Sequence, residues 1–243
     1  MSEIPYIGNE LDLFEKATVW KKYYGNFLAP YLKGKILEVG AGIGGTTSEL
    51  CDGSQDQWIC LEPDPDLFAK LETKIQDHRL PACCSCVKGI TKDLPLNDLF
   101  NAIMYIDVIE HIEKDADELA RAKTLLEPGG YLIVLVPAHQ FLYNEFDKAI
   151  GHFRRYDKQM LKAIAPSELE LLKLRYFDSC GFVSSLVNKY FLKQNYPTAK
   201  QINFWDKVLV PISKPVDFIL NYTLGKTLVA VWQKKIITNP NRQ

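Results

Sequence analysis

The order of apolar and amphipathic segments predicts an α/β fold: a doubly wound, mostly parallel sheet of seven strands with helices on both faces. Three observations predict it. Short apolar runs alternate with segments of helical period. Glycines at alternate positions, Gly40, Gly42 and Gly44, join the first such run to a helix start. Glu127-Pro128-Gly129-Gly130 then breaks a helical segment just before a long apolar run.

Each element follows from its residues. Leu11, Phe14, Val19, Tyr23, Phe27 and Leu28 recur at helical spacing, with lapses, so residues 11–32 read as helix. Residues 35–39 form the first strand, and residues 44–51 start the first crossover helix. A second strand at 57–61 leads to a helix at 65–76. A weak third strand is expected at 83–87 and a strong fourth at 100–107. A helix at 115–126 and a buried fifth strand at 131–136 follow. Residues 169–176 and 227–233 supply the last two strands. One domain is expected: an N-terminal helical cap at 1–34, a core at 35–179, an aromatic lid at 180–224, the last strand at 225–234 and a flexible tail at 238–243.

Composition excludes several classes. The chain has 243 residues, is 47% hydrophobic and 24% charged, and carries a net charge of −1, so no large nucleic-acid footprint is indicated. Residues 1–9 lack the apolar core of a signal peptide, and no apolar run is long enough to span a bilayer. Cys51, Cys60, Cys83, Cys84, Cys86 and Cys180 fit neither a disulfide framework nor a paired zinc motif. Free thiols in a reducing cytoplasm are the expectation.

The glycine loop belongs to a nucleotide-type cofactor. Gly40-x-Gly42-x-x-Gly45 fits a dinucleotide, and Glu62 ends the second strand where an acid binds ribose hydroxyls. Three features favour S-adenosylmethionine over NAD. Glu38 places a carboxylate before the first glycine, where it can help hold an ammonium group. The alternation continues to Gly44. The Pro-Gly-Gly segment runs directly into an apolar strand.

Together, Glu38-Val39-Gly40-Ala41-Gly42-Ile43-Gly44, Leu61-Glu62-Pro63-Asp64, Ile106-Asp107-Val108-Ile109-Glu110-His111-Ile112 and Leu126-Glu127-Pro128-Gly129-Gly130 resemble the Rossmann-like, class I S-adenosylmethionine-dependent methyltransferases. The resemblance covers residues 34–137. It implies an antiparallel last strand and a cofactor site at Glu38, Gly40, Gly42, Gly44, Glu62, Pro63, Gly89, Ile90, Asp107 and Val108. The family's usual adenine-binding Asp is missing at Gly89-Ile90-Thr91, which leaves that contact to the backbone. The ubiquinone-pathway O-methyltransferases look similar at Asp107, Glu110 and His111, where they can hold a divalent metal. The favoured reading of these three residues is packing against the cofactor loop without metal.

Gly151-His152-Phe153-Arg154-Arg155-Tyr156 is similar to a segment of a bacterial methyltransferase subfamily. It follows the fifth strand, on the edge where open α/β sheets bind ligands. His139 and His152 are candidate bases. Tyr143 and Tyr156 are candidates to wall a sulfonium by cation–π contact. Arg154 and Arg155 are candidate clamps for an anionic substrate, with Tyr176 beside them. The alternative is a structural cap, with arginines on loop carbonyls and a histidine among aromatics. The aromatic 180–224 region reads equally as lid, extra core, dimer surface or membrane-surface patch.

The expected activity is methyl transfer to an oxygen or nitrogen of a small molecule, by a monomer or homodimer without nucleic-acid partners. A second reading is a cyclase or lyase that consumes S-adenosylmethionine and releases methylthioadenosine. Lesser readings are a non-catalytic binding module and an NAD oxidoreductase.

Overall fold

The computed structural model describes residues 10–192, 194 and 196–236; the tail expected at 238–243 lies outside the described residues. Seven strands form one sheet: Lys35–Val39 (β1), Gln57–Glu62 (β2), Cys84–Lys88 (β3), Phe100–Ile106 (β4), Leu126–Pro137 (β5), Leu169–Phe177 (β6) and Thr227–Lys234 (β7). Their spatial order is β3-β2-β1-β4-β5-β7-β6. β7 runs antiparallel to both β5 and β6, and the remaining pairs are parallel. The order reverses between β1 and β4, so a crevice opens beyond their carboxyl ends.

Period-two side-chain alternation splits the core into two layers. Ile36, Met104 and Ile133 face one side, with Trp20, Tyr24 and Leu28 of helix Thr18–Leu28 (α2). Leu37, Ile103 and Val134 face the other, with Leu119 and Ala122 of the Asp115–Thr124 helix. β1, β4 and β5 are apolar on both faces because both faces are covered.

The expected N-terminal helix is interrupted. Glu10–Glu15 (α1) ends before Ala17, and α2 gives way to a short 3₁₀ turn at Ala29–Tyr31 around Pro30. The first crossover helix shrinks to Thr47–Leu50 (α3), whereas Pro65–Gln76 (α4) keeps its expected bounds because Asp64 caps it and Pro65 starts it. β5 begins before the Pro-Gly-Gly break instead of after it. Its register against β4 shifts between Phe100 and Ala102, and a Cβ at Gly130 would stand 3.0 Å from the Phe100 and Glu127 carbonyl oxygens.

The fold also joins thiols that are remote in sequence. Cys51 Sγ lies 3.4 Å from Cys83 Sγ and 3.5 Å from Cys84 Sγ. The hydrogen bond from Cys84 lowers the Cys51 thiol to about 6.

Residues 180–224 are helical: Ser179–Val187 (α8), Ala199–Phe204 (α9) and Val210–Ile219 (α10), linked by π-type turns at Asn188–Leu192 and Trp205–Leu209. Glu145–Ala149 (α6) and Lys158–Ala163 (α7) precede β6, and Asp115–Thr124 is α5. Part of the lid is core, since Ile202, Trp205 and Val210 are buried. No helix among the described residues is long and apolar enough to cross a membrane.

Buried carboxylates fasten this lid. Asp217 accepts from the Asp178 and Ser179 amides at 2.7 and 2.9 Å and from the Tyr23 hydroxyl at 2.9 Å. Asp178 caps α8 through Gly181 and also takes Ser213 Oγ and Trp205 Nε1. Asp217→Ala strands these donors, so urea unfolding should show a loss of about 3–5 kcal/mol. A loss below about 1 kcal/mol would place the lid's anchorage elsewhere.

Candidate active site

The glycine loop is a left-handed turn at the end of β1. Gly40 and Gly42 have φ of +67° and +57°, which side chains with a Cβ resist. The Gly40 and Ala41 amides donate to the Leu61 carbonyl at 2.8 and 3.1 Å. The Gly42 amide donates to Glu62 Oε2 at 2.7 Å, and the Asp64 amide to Glu62 Oε1 at 2.9 Å. A Cβ at Gly40 would stand 2.7 Å from Val108, and one at Gly42 would stand 3.3 Å from Leu11 of α1. Val108 and α1 therefore flank the loop.

Two of the expected cofactor residues do other work. The missing Cβ of Gly44 would stand 2.8 Å from Leu71, so this glycine admits α4, and Gly45 lines the cavity instead. Glu38 is buried away from the cavity. Its Oε2 accepts from Thr47 Oγ1 at 2.6 Å and Trp58 Nε1 at 2.8 Å. Burial lifts its carboxyl to about 7. It braces β1 against β2 and α3.

Beyond β2, Pro63 is exposed and leads into the α4 cap. The Gly89 amide donates to the Glu62 carbonyl at 3.1 Å. Ile90 is exposed, and its amide donates to Asp93 Oδ2 at 2.9 Å. A carboxylate thus stands beside Gly89 after all, four residues further on in the chain.

A cavity of about 660 Å³ lies between the strand ends and the lid. Gly40, Ala41 and Gly42 form part of its floor, α1 and α2 one wall, and Asp107, Glu110 and His111 another. Asp107 has φ of +55°. Its side chain is accessible from the cavity yet surrounded by protein, and burial raises its carboxyl to about 6. Glu110 is fully buried, and neither carboxylate oxygen has a hydrogen-bond partner. Burial, and next the Asp107 charge, push its carboxyl well above the usual range. His111 is pushed down to about 4, first by burial and then by His152.

His152 and Arg155 also line the cavity, joined by a residue that sequence reasoning missed. Asp147, buried, lies 2.9 Å from His152 Nδ1 and accepts from Arg155 Nε at 2.9 and 3.0 Å. The bond to Asp147 turns His152 Nε2 toward Glu110, 3.8 Å from Oε1. Asp147 is detectable only as the N3 residue of a capping box with Asn144.

The other candidates from this segment are not on the cavity. Tyr156 is fully buried, and its hydroxyl donates to Asp115 at 2.6 Å. Arg154 donates to Asp115 at 2.5 Å and to the Ile112 and Glu113 carbonyls. The Tyr143 hydroxyl donates to the His152 carbonyl at 2.6 Å. His139, with φ of +68°, stacks on Tyr176 at 4.9 Å and holds the Gly225 carbonyl through Nε2 at 2.9 Å. The structural-cap alternative describes His139, Arg154, Tyr143, Tyr156 and Tyr176. The three residues of the disfavoured metal alternative, Asp107, Glu110 and His111, are regrouped: Glu110 and His111 bring ligand atoms within 4.8 Å of one on His152.

Comparison with known proteins agrees with this fold. Residues 37–134 match the family described as a methyltransferase domain. Solved methyltransferase structures share this seven-stranded architecture. A tRNA U34 carboxymethyltransferase of Syntrophotalea carbinolica is 26% identical over 107 residues, 44% of this chain and 33% of that protein. The match thus spans about a third of the curated relative's length. A SAM-dependent methyltransferase from Archaeoglobus fulgidus superposes with a TM-score of 0.60 at 17% identity, covering 93% of this chain and 100% of that one. The N-methyltransferase NodS from Bradyrhizobium japonicum, in complex with S-adenosyl-L-homocysteine, gives 0.56 at 13% identity over 93% and 91%.

S-adenosyl-L-methionine is the cofactor this domain implies, and the residues present fit it. The bare backbone of Gly40–Gly42 borders a cavity also lined by Glu110, whose buried carboxylate oxygens have no hydrogen-bond partner among the described residues. A cationic ligand answers that deficit. Because Glu110 is harder to ionise folded than unfolded, its cost to stability grows as pH rises above about 4.3. Glu110→Gln should therefore raise the ligand-free melting temperature at pH 7, with the difference vanishing below about pH 4. An unchanged or lower melting temperature at pH 7 would show that Glu110 is already compensated.

Proposed function

We propose that this chain is an S-adenosylmethionine-dependent methyltransferase that methylates an oxygen or nitrogen of a small molecule held in the cavity. One observation carries the reading: a buried carboxylate without a hydrogen-bond partner, Glu110, shares the cavity lining with the glycine loop and lies 3.8 Å from an aspartate-oriented histidine. When bound, the cofactor supplies a methyl group already activated on a sulfonium. The protein's task is then alignment and electrostatics.

In this reading Gly40–Gly42 and Glu62 hold the cofactor's methionine and ribose parts. Asp107 and Glu110 face its positive charge. Asp147 fixes His152 with Nε2 toward the cavity, where it takes the acceptor's proton as the methyl arrives. Arg155, held by Asp147, orients the acceptor.

Isothermal titration should show S-adenosylmethionine binding, and Glu62→Ala should weaken it about tenfold or more. Absence of binding in the unaltered chain would overturn the reading. With the acceptor in hand, His152→Ala should lower kcat about 10²–10⁴-fold while cofactor affinity holds. Asp147→Asn should lower kcat less and shift its pH profile. Equal kcat in all three proteins would remove His152 from the chemistry.

A further inference from the structure

The lid is more apolar on its outside than a soluble surface requires. Twelve of the eighteen exposed large apolar side chains among the described residues fall between Val183 and Leu220. Phe191, Ile219 and Phe218 are 80%, 78% and 74% exposed. The start of α8 is pinned to Ser213 and Asp217 of α10, and its cap residue Asp178 also takes Trp205 of the 205–209 turn, so α8 packs against this helical stretch. Val183 and Val187 of α8, and Phe204 at the end of α9, Val208 in the 205–209 turn and Ile212 of α10, recur every four residues and form two outward stripes.

Charge on the same segment has one sign outside. Its acids are Asp206 and Asp217, both buried and turned inward: Asp206 onto the Val19 and Trp20 amides, Asp217 onto α8. Lys200 is exposed and Lys214 half-exposed, while Lys207, also exposed, pairs with Asp206 at 2.9 Å and Lys189 donates to the Phe141 carbonyl. The patch is also continuous with the cavity, because Val187, Leu192, Tyr196 and Phe204 are exposed and line the cavity mouth, with Lys200 beside them.

We propose that the lid rests on an anionic lipid bilayer and that the acceptor is an anionic amphiphile entering the cavity from that surface. Outward aromatic and aliphatic side chains insert at the headgroup boundary, while the lysines meet lipid phosphates. The mouth leaves an acyl or prenyl portion among Val187, Leu192 and Phe204 and draws the polar end inward past Lys200. The acceptor half of this inference rests on the methyltransferase reading; the docking half does not.

Flotation of the full chain with vesicles tests it, using phosphatidylcholine alone and phosphatidylcholine mixed with phosphatidylglycerol. The variant is Phe191→Asp/Phe218→Asp/Ile219→Asp, at three exposed positions off the cavity. The unaltered protein should float with the anionic vesicles. Each lysine that meets an anionic headgroup should strengthen binding about fivefold, so binding should fall steeply on phosphatidylcholine alone and in high salt. The variant should stay in the dense fraction while binding S-adenosylmethionine as before. Failure of the unaltered protein to float, or equal flotation of the variant, overturns the proposal. So does a dimer in light scattering that the variant dissolves, since a second copy would then cover the patch. Flotation by a chain that binds no S-adenosylmethionine would uphold docking and remove the acceptor assignment.

Discussion

The turn at Gly40–Gly42 is the constraint on which the rest of the site depends. Two residues in left-handed backbone reverse the chain within one strand spacing of β2, and the Leu61 carbonyl and Glu62 carboxylate tie them there. Everything that lines the cavity is placed relative to this point. β4 lies beside β1, so Asp107 and Val108 arrive next to Gly40; β5 lies beside β4, so the segment after Pro137 arrives next to Asp107. The same Glu62 links the loop to the Asp64 cap of α4. One carboxylate therefore ties the glycine loop to the start of α4.

Buried acids divide into two kinds. Glu38, Asp178, Asp206 and Asp217 are satisfied by amides, hydroxyls and indoles, and they hold β1, the lid and α2 together. Asp147 lines the cavity but is engaged by His152 and Arg155, whereas Glu110, also on the cavity, has no hydrogen-bond partner among the described residues. A protein tolerates such a deficit where a ligand relieves it. This contrast, more than the presence of acids, distinguishes the site from the scaffold.

Much of the fold is legible in the sequence because local signals and tertiary burial agree. Strands β1, β2 and β4 read as apolar runs because both their faces are covered, and α4 reads to the residue because Asp64 and Pro65 announce its start. The site is less legible. Glu62, Gly40 and Gly42 carry spacing that survives in one dimension. Gly44 looks like its neighbours in sequence, but its neighbour in space is Leu71. His139 and His152 are equivalent as letters; only the fold sends one under the lid with Tyr176 and the other to the cavity with Asp147. The Cys51–Cys83–Cys84 cluster and the outward apolar stripes are likewise products of tertiary pairing.

A crystal structure with S-adenosyl-L-homocysteine should place the sulfur between the Gly40–Gly42 backbone and the Glu110–His152 pair, with the ribose hydroxyls on Glu62 and α1 lying over the ligand. A ligand bound elsewhere, or a cavity in which Glu110 and His152 face away from the sulfur, would contradict this placement.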